Sequence, residues 1–169
     1  ITYINDKHLN LIFNLIDGKP NGYVCLPNGV KVYKYYNSLI FNEEELVLTY
    51  DYIFDKRIEL PLGVIEEISS YDGKSNYYIR LSSDEVKLPL HVRTRKLGDF
   101  MDVKNMNGTK KIKSIFIDEK VPLKIRDSYP LVCDDEGNIL WIPGVKKSKF
   151  DKQMNESYDI ILKYVKKEK

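Results

Sequence analysis

Tyr23-Val24-Cys25-Leu26-Pro27-Asn28-Gly29-Val30-Lys31-Val32-Tyr33-Lys34-Tyr35 sets two β-branched and aromatic runs on either side of Pro-Asn-Gly. Asn and Gly accept the positive φ that a tight reversal demands, so the stretch predicts an antiparallel hairpin. Strand-like runs follow at residues 46–54, 57–60 and 77–81, with turn clusters at 69–74 and 82–84 between them. Composition points the same way. The chain has no Ala and a single Gln but 13 Tyr, so its best helix former is missing while good strand formers abound.

Upstream of the hairpin, Ile4, Leu9, Ile12, Phe13 and Ile16 recur at helical spacing, and Gly18 with Pro20 marks the stop. Downstream, Leu90-His91-Val92-Arg93-Thr94-Arg95 alternates, which predicts a strand with His91, Arg93 and Arg95 on one face. Gly98-Asp99 reads as a turn. Thr109 is placed to cap a helix running to Ile117, with Ile112, Ile115 and Phe116 in one arc and Lys110, Lys111 and Lys113 in the opposite one. Val121-Pro122 stops that helix, and a second short one is expected over 123–127. A hairpin is expected from 131–133 to 138–142, around Asp134-Asp135-Glu136-Gly137. Periodicity leaves residues 157–165 open between strand and helix. The expected fold is β-rich α+β, a mixed or antiparallel sheet with short helices. Three segments are expected: 1–20, the helical end of a preceding domain; 21–87, β-rich; and 88–169, a C-terminal unit. The alternative is that 21–169 form one compact domain.

With 169 residues, 43% apolar and 31% charged, the chain can build a core without disulfides and is not of disordered composition. No apolar run approaches a membrane span. Cys25 and Cys133 are far apart and in no CxxC pattern, which fits a reduced, cytoplasmic protein. The first residue is Ile1 rather than Met, and no leader pattern follows, so a fragment of a longer protein is expected. His8 and His91 have no companion Cys or carboxylate at ligand spacing, and no nucleophile–base constellation is defensible. No metal site or catalytic residue is therefore expected. Glu43-Glu44-Glu45 reads as a solvated face, and Tyr33, Tyr35 and Tyr36 as sheet core rather than a base-stacking platform.

The net charge of +2 conceals an uneven distribution. Residues 91–126 hold 10 basic and 4 acidic side chains, while residues 127–145 hold none and 4. A polyanion would dock on the first of these stretches. Lys110 and Lys111 in a first helical turn would sit where the dipole disfavours cations and where free N–H groups attract anions, so a bound phosphate would satisfy both. Arg93 or Arg95 could add a bidentate contact from the adjoining strand. The competing reading is ion pairing of these arginines with Asp99 or Asp118, and of Lys120 and Arg126 with Asp118, Glu119 and Asp127. Trp141 and Pro143-Gly144 read as the end of a packed strand.

An ordered set of motifs carries a family resemblance. Leu88-Pro-Leu-His-Val-Arg-Thr-Arg-Lys-Leu-Gly-Asp99 is followed by Met106-Asn-Gly-Thr-Lys-Lys-Ile-Lys113 and Phe116-Ile-Asp-Glu-Lys-Val-Pro122. Arg126-Asp127, Pro130 and Trp141-Ile-Pro-Gly144 come next. Residues 88–148 resemble the C-terminal region of bacterial tRNA(Ile)-lysidine synthetase, and 23–88, with Leu26-Pro-Asn-Gly29, fit the same family's preceding segment.

The resemblance implies a ligase that joins lysine to the wobble cytidine of the CAU-anticodon isoleucine tRNA. ATP, with magnesium, adenylylates the base before the lysine amine displaces AMP. The family's Ser-Gly-Gly-x-Asp-Ser loop does not occur in this sequence, nor does a Walker-type loop, so the chain is expected to be non-catalytic and to hold no cofactor. What it implies for this stretch is a tRNA-recognition domain that binds the acceptor stem and shares its fold with a domain of the phenylalanyl-tRNA synthetase β subunit. Arg93, Arg95, Lys96, Lys110, Lys111, Lys113, Lys120 and Arg126 match the family's basic positions. Phe100 departs from the pattern, since a basic residue often follows Gly-Asp. The alternative role is a structural or dimerisation domain, assembling as a homodimer or positioning the catalytic part without touching tRNA.

Overall fold

The computed structural model describes residues 4–41 and 49–168, so Glu43-Glu44-Glu45 and the start of the expected 46–54 strand lie outside the described residues. The described residues divide into two compact units, one of 4–41 with 120–126, the other of 49–119 with 127–168.

In the first unit, α1 (Asp6–Asp17) begins where Asn5 accepts hydrogen bonds from the Lys7 and His8 amides while the His8 ring accepts from the Asn5 amide. That reciprocal cap satisfies donors a helix start leaves orphaned. At the other end the Lys34 ammonium, nearly buried, donates to the carbonyls of Ile16 and Gly18, putting a cation on the negative pole of the helix. β1 (Asn21–Cys25) and β2 (Lys31–Tyr35) form the expected hairpin, and β3 (Ser38–Phe41) extends it to three antiparallel strands. Asn28 and Gly29 take the positive φ values of 62° and 75° that the reversal requires. Tyr33 is buried and stacks on Tyr35, while Tyr23 is exposed. A last helical turn, α3 (Leu123–Arg126), belongs to this unit.

The second unit is built on antiparallel sheets. β4 (Asp51–Ile53) pairs with β8 (His91–Arg93), which pairs with β11 (Leu131–Cys133), then β12 (Ile139–Ile142) and β13 (Lys146–Lys147). A four-stranded sheet runs β5 (Arg57–Leu60), β6 (Gly63–Glu67), β14 (Ile160–Lys166), β7 (Tyr78–Leu81). Leu60, Ile65, Ile79, Leu81, Leu162 and Tyr164 from this sheet meet Val92, Val132, Leu140 and Trp141 from the other in one core cluster. Two antiparallel sheets that share one core in this way make a β-sandwich. Residues 157–165, left open by periodicity, contribute a central strand, because β14 is flanked on both edges by β6 and β7. Trp141 is fully buried at a strand, as expected, with Nε1 donating to the Asn76 carbonyl at 2.9 Å. The 134–137 reversal is organised by Asp134, whose carboxylate accepts from the Glu136 and Asn138 amides.

Two expectations change. The units cut across the boundaries at 20/21 and 87/88, because β4 pairs with β8 and β5–β7 share a sheet with β14, which ties 49–87 to the chain's end. The helix expected from Thr109 begins later. Residues Thr109–Lys111 form β10, paired with β9 (Phe100–Asp102), and only then does α2 (Ile112–Asp118) start. The partners that capture Thr109, Lys110 and Lys111 lie seven to eleven residues upstream, beyond the reach of a helical-periodicity reading.

Candidate nucleic-acid interface

Asp99 ties two of the basic positions of the second unit, Arg93 and Lys96, to one corner. Its carboxylate accepts Arg93 Nη1 on Oδ2 at 2.8 Å and Nη2 on Oδ1 at 3.1 Å, and also the Lys96 amide at 2.7 Å. Its carbonyl accepts the Ile112 amide, the first of α2. One residue therefore joins the end of β8, the 96–99 turn and the β10–α2 junction. Burial alone would raise the Asp99 carboxyl, but the Arg93 and Lys96 hydrogen bonds outweigh it and hold the group below the usual carboxylate range. Gly98 at φ 86° allows the turn to close this tightly.

Arg93 lies inside this scaffold. It is 7% exposed, and its guanidinium is spent on Asp99 and the Thr94 carbonyl. The strand ends at Arg93, so Arg95 does not extend the face. Its Nε instead meets Asp127 at 2.9 Å, with the guanidinium 5.6 Å from the Phe116 ring of α2. Lys110 pairs with Asp118 across the surface, from a strand rather than a helical turn, which removes the helix-dipole argument made for Lys110. Such an exposed pair contributes little and exchanges readily for a stronger anion.

Lys96, Lys111 and Lys113 are exposed and have no side-chain ion pair among the described residues. The β9–β10 register sets Lys111 opposite Phe100, so a lysine and an exposed aromatic share one patch. The departure at Phe100 thereby places an apolar side chain beside Lys111, next to a recess of about 180 Å³ reached by Leu97, Phe100 and Phe150. Lys149, which nothing local in the sequence marks, pairs with Asp102 of β9 at 2.9 Å.

Lys120 and Arg126 fall in the first unit. Lys120 is exposed at φ 56°. Arg126 is buried, with Nε on the Val121 carbonyl at 2.8 Å and Nη2 on the Tyr36 hydroxyl at 3.2 Å, so its guanidinium too is engaged inside the fold. Neither the sequence nor its periodicity separates these spent arginines from the free lysines, since the carbonyls and carboxylates that neutralise them become neighbours only on folding.

No helix among the described residues is long and apolar enough to cross a membrane. Comparison with known proteins places the chain. The family described as the TilS substrate C-terminal domain matches residues 90–162. tRNA(Ile)-lysidine synthase of Bacillus licheniformis is 39% identical over 96% of this chain and 37% of its own length. That of Bacillus subtilis strain 168 is 39% identical over 90% and 35%. The bifunctional protein TilS/HprT of Listeria monocytogenes is 33% identical over 92% and 26%. The chain thus spans between about a quarter and somewhat over a third of the length of these relatives. A crystal structure of a TilS C-terminal domain is 36% identical, superposes with a TM-score of 0.64, and is covered in full by 72% of this chain. On that match, and on the order of motifs from Leu88 to Gly144 that carries it, the chain belongs to the TilS C-terminal domain family.

Proposed function

We propose that this chain is the tRNA-recognition part of a tRNA(Ile)-lysidine synthase and grips the acceptor stem of the CAU-anticodon isoleucine tRNA. The observation that carries the reading is the set of unpaired exposed lysines, Lys96, Lys111 and Lys113, presented on the rigid Asp99-anchored corner, with Lys110 and Arg95 held alongside on exchangeable surface carboxylates. A-form stems offer side chains a deep, narrow major groove they cannot read, so a lysine patch that meets backbone phosphates suits this target. Lysine joining, with its ATP and magnesium, is work for parts of the enzyme outside these 169 residues, in a cytoplasmic protein.

Fluorescence-anisotropy titration of labelled isoleucine tRNA tests this. Lys111→Glu with Lys113→Glu is expected to weaken binding by about tenfold or more, at two charge-assisted contacts. Unchanged affinity in that double variant sinks the reading. It would favour the second one, a domain that positions the catalytic part, for which α1 is the supporting feature: Leu9, Phe13 and Ile16 on its apolar side are all exposed.

A further inference from the structure

A second basic feature lies in the second unit, and none of the positions singled out from the sequence lines it. It is a cavity of about 620 Å³ between the 72–76 loop, β7, the end of β9, β13 and residues 151–155. Six lysine and arginine side chains line it against two carboxylates, Asp72 and Asp151.

Lys146 is paired with Glu119, and Lys152 with Glu85 and Glu156, which leaves Lys74, Arg80, Lys104 and Lys147 against Asp72 and Asp151. Asp151, with its side chain 2% exposed, accepts Lys104 Nζ at 2.6 Å and Lys147 Nζ at 3.3 Å, so one carboxylate serves two ammonium groups. Arg80 is 4% exposed; its backbone amide donates to Asp151, while its guanidinium has no carboxylate partner among the described residues. Its Nη2 donates to the Tyr71 and Gly73 carbonyls, its guanidinium lies against the Tyr71 and Tyr158 rings, and its Nε is buried without a hydrogen-bond partner. Lys74 is exposed on the rim without an ion pair among the described residues. Desolvation, helped by Lys104 and Arg80, outweighs Asp151 and pulls the Lys147 ammonium below its ordinary range.

Buried cations in excess of their counter-charges cost stability unless something anionic completes the group. The volume exceeds what a bare ion needs and falls in the range of small-ligand sites. Asn105, Gln153 and Asn155 add neutral amides to the lining, the groups that pair with base edges. Several cations converging with amides match a tetrahedral oxyanion attached to a heterocycle better than a simple carboxylate.

We propose that this cavity binds the phosphate of a nucleotide, with Arg80, Lys147 and Lys74 as its cationic contacts. The nucleotide is either free or part of a single-stranded RNA segment. The site stands independently of the lysine corner around Asp99.

Calorimetric titration of the full chain with uridine 5′-monophosphate, uridine and a uridine tetranucleotide tests it. The monophosphate or the tetranucleotide binds and uridine does not. Lys74→Glu, an exposed change that spares the fold, weakens that binding about tenfold, as loss of one charge-assisted contact does. Lys147→Gln weakens it at least as much, and Lys111→Glu with Lys113→Glu leaves it within about twofold, since those two lysines are absent from the lining. Binding of the monophosphate assigns a free nucleotide; binding of the tetranucleotide alone assigns an RNA strand. The proposal is overturned if neither binds, if uridine binds equally well, or if Lys74→Glu and Lys147→Gln leave affinity unchanged. The lysine-corner variants are read on tRNA and the cavity variants on the small ligands, so failure of one assignment is separable from failure of the other.

Discussion

Arg93 and Asp99 form a two-pronged ion pair, with Nη1–Oδ2 at 2.8 Å and Nη2–Oδ1 at 3.1 Å, and both side chains are almost closed to solvent at 9% and 14% exposure. A pair in that setting is weak evidence for net stabilisation, but removing one partner strands the other charge. Asp99→Asn is therefore expected to cost about 3 kcal/mol in urea unfolding, and Arg93→Met a similar amount. The double variant should lose clearly less than the two single losses together. Simple additivity would show that the two side chains are not coupled.

The same pair sets an acid limit. The Asp99 carboxyl is held below its ordinary value, so its contribution is fully present above the unfolded value near pH 4 and fades as pH falls through the lower folded value. Stability curves measured from pH 6 to pH 2 should therefore fall more steeply for the parent chain than for Asp99→Asn. Parallel curves would contradict this.

His91 works in the opposite direction. Its ring nitrogens meet Asp135 at 2.9 Å and Asp51 at 3.2 Å, and the hydrogen bond to Asp135, foremost, raises the imidazole above its ordinary value. Its contribution is present in full below the unfolded value of about 6.5 and disappears as pH rises through the higher folded value. The midpoint of thermal unfolding should thus be higher at pH 6 than at pH 8.5, and His91→Gln should reduce that difference. An unchanged difference in the variant would assign the pH dependence to other groups.

Phosphate contacts leave a mark on salt dependence that other contacts do not. Each phosphate neutralised adds roughly 0.7–0.9 to the log–log salt slope of binding. Neutralising Lys111 and Lys113, as Lys111→Gln with Lys113→Gln, should reduce the slope for isoleucine tRNA by about 1.5. Thermal stability should stay unchanged, because both side chains are exposed and outside the core. A parallel slope with lower affinity would point to an indirect effect.

How much of this was legible beforehand differs from element to element. The Asn28-Gly29 hairpin, the 131–142 hairpin and the buried Trp141 follow from local turn chemistry and alternation, which short windows carry. The ordered motifs carried the family. β6 went unmarked because Gly63-Val-Ile-Glu-Glu67 has one clean apolar pair and a glycine at its start, and one of its two partners, β14, lies about a hundred residues on. The charge tally singled out the stretch 91–126, but not which of its cations folding ties up. Arg93, Arg126 and Lys111 look alike in sequence, and only folding supplies Asp99 to the first and the Val121 carbonyl to the second, while Lys111 has no side-chain ion pair among the described residues. The cavity around Arg80 was invisible for the same reason, since its lining is drawn from positions 72 to 155.

Gly63 shows how closely β6 and β14 are matched. It pairs with Lys166 across the sheet, and a Cβ built there would stand 2.5 Å from the Val165 carbonyl oxygen and 2.4 Å from the Tyr164 ring. The ring is itself pinned, since Tyr164 is 2% exposed and its hydroxyl donates to the Leu62 carbonyl at 2.9 Å. Burial and the neighbouring Tyr77 push that hydroxyl's pKa up to about 12, so it keeps its proton and its donor role across the working range. With backbone on one side and a locked aromatic on the other, neither neighbour can give way cheaply. Gly63→Ala is expected to destabilise the chain by about 1–3 kcal/mol, the usual cost of overpacking. Tyr164→Phe, which removes the hydroxyl's anchor while keeping the ring, should lessen the penalty of a second Gly63→Ala change. Urea unfolding of the four-member cycle measures this, and equal penalties in the two backgrounds would show that the carbonyl contact alone excludes the side chain.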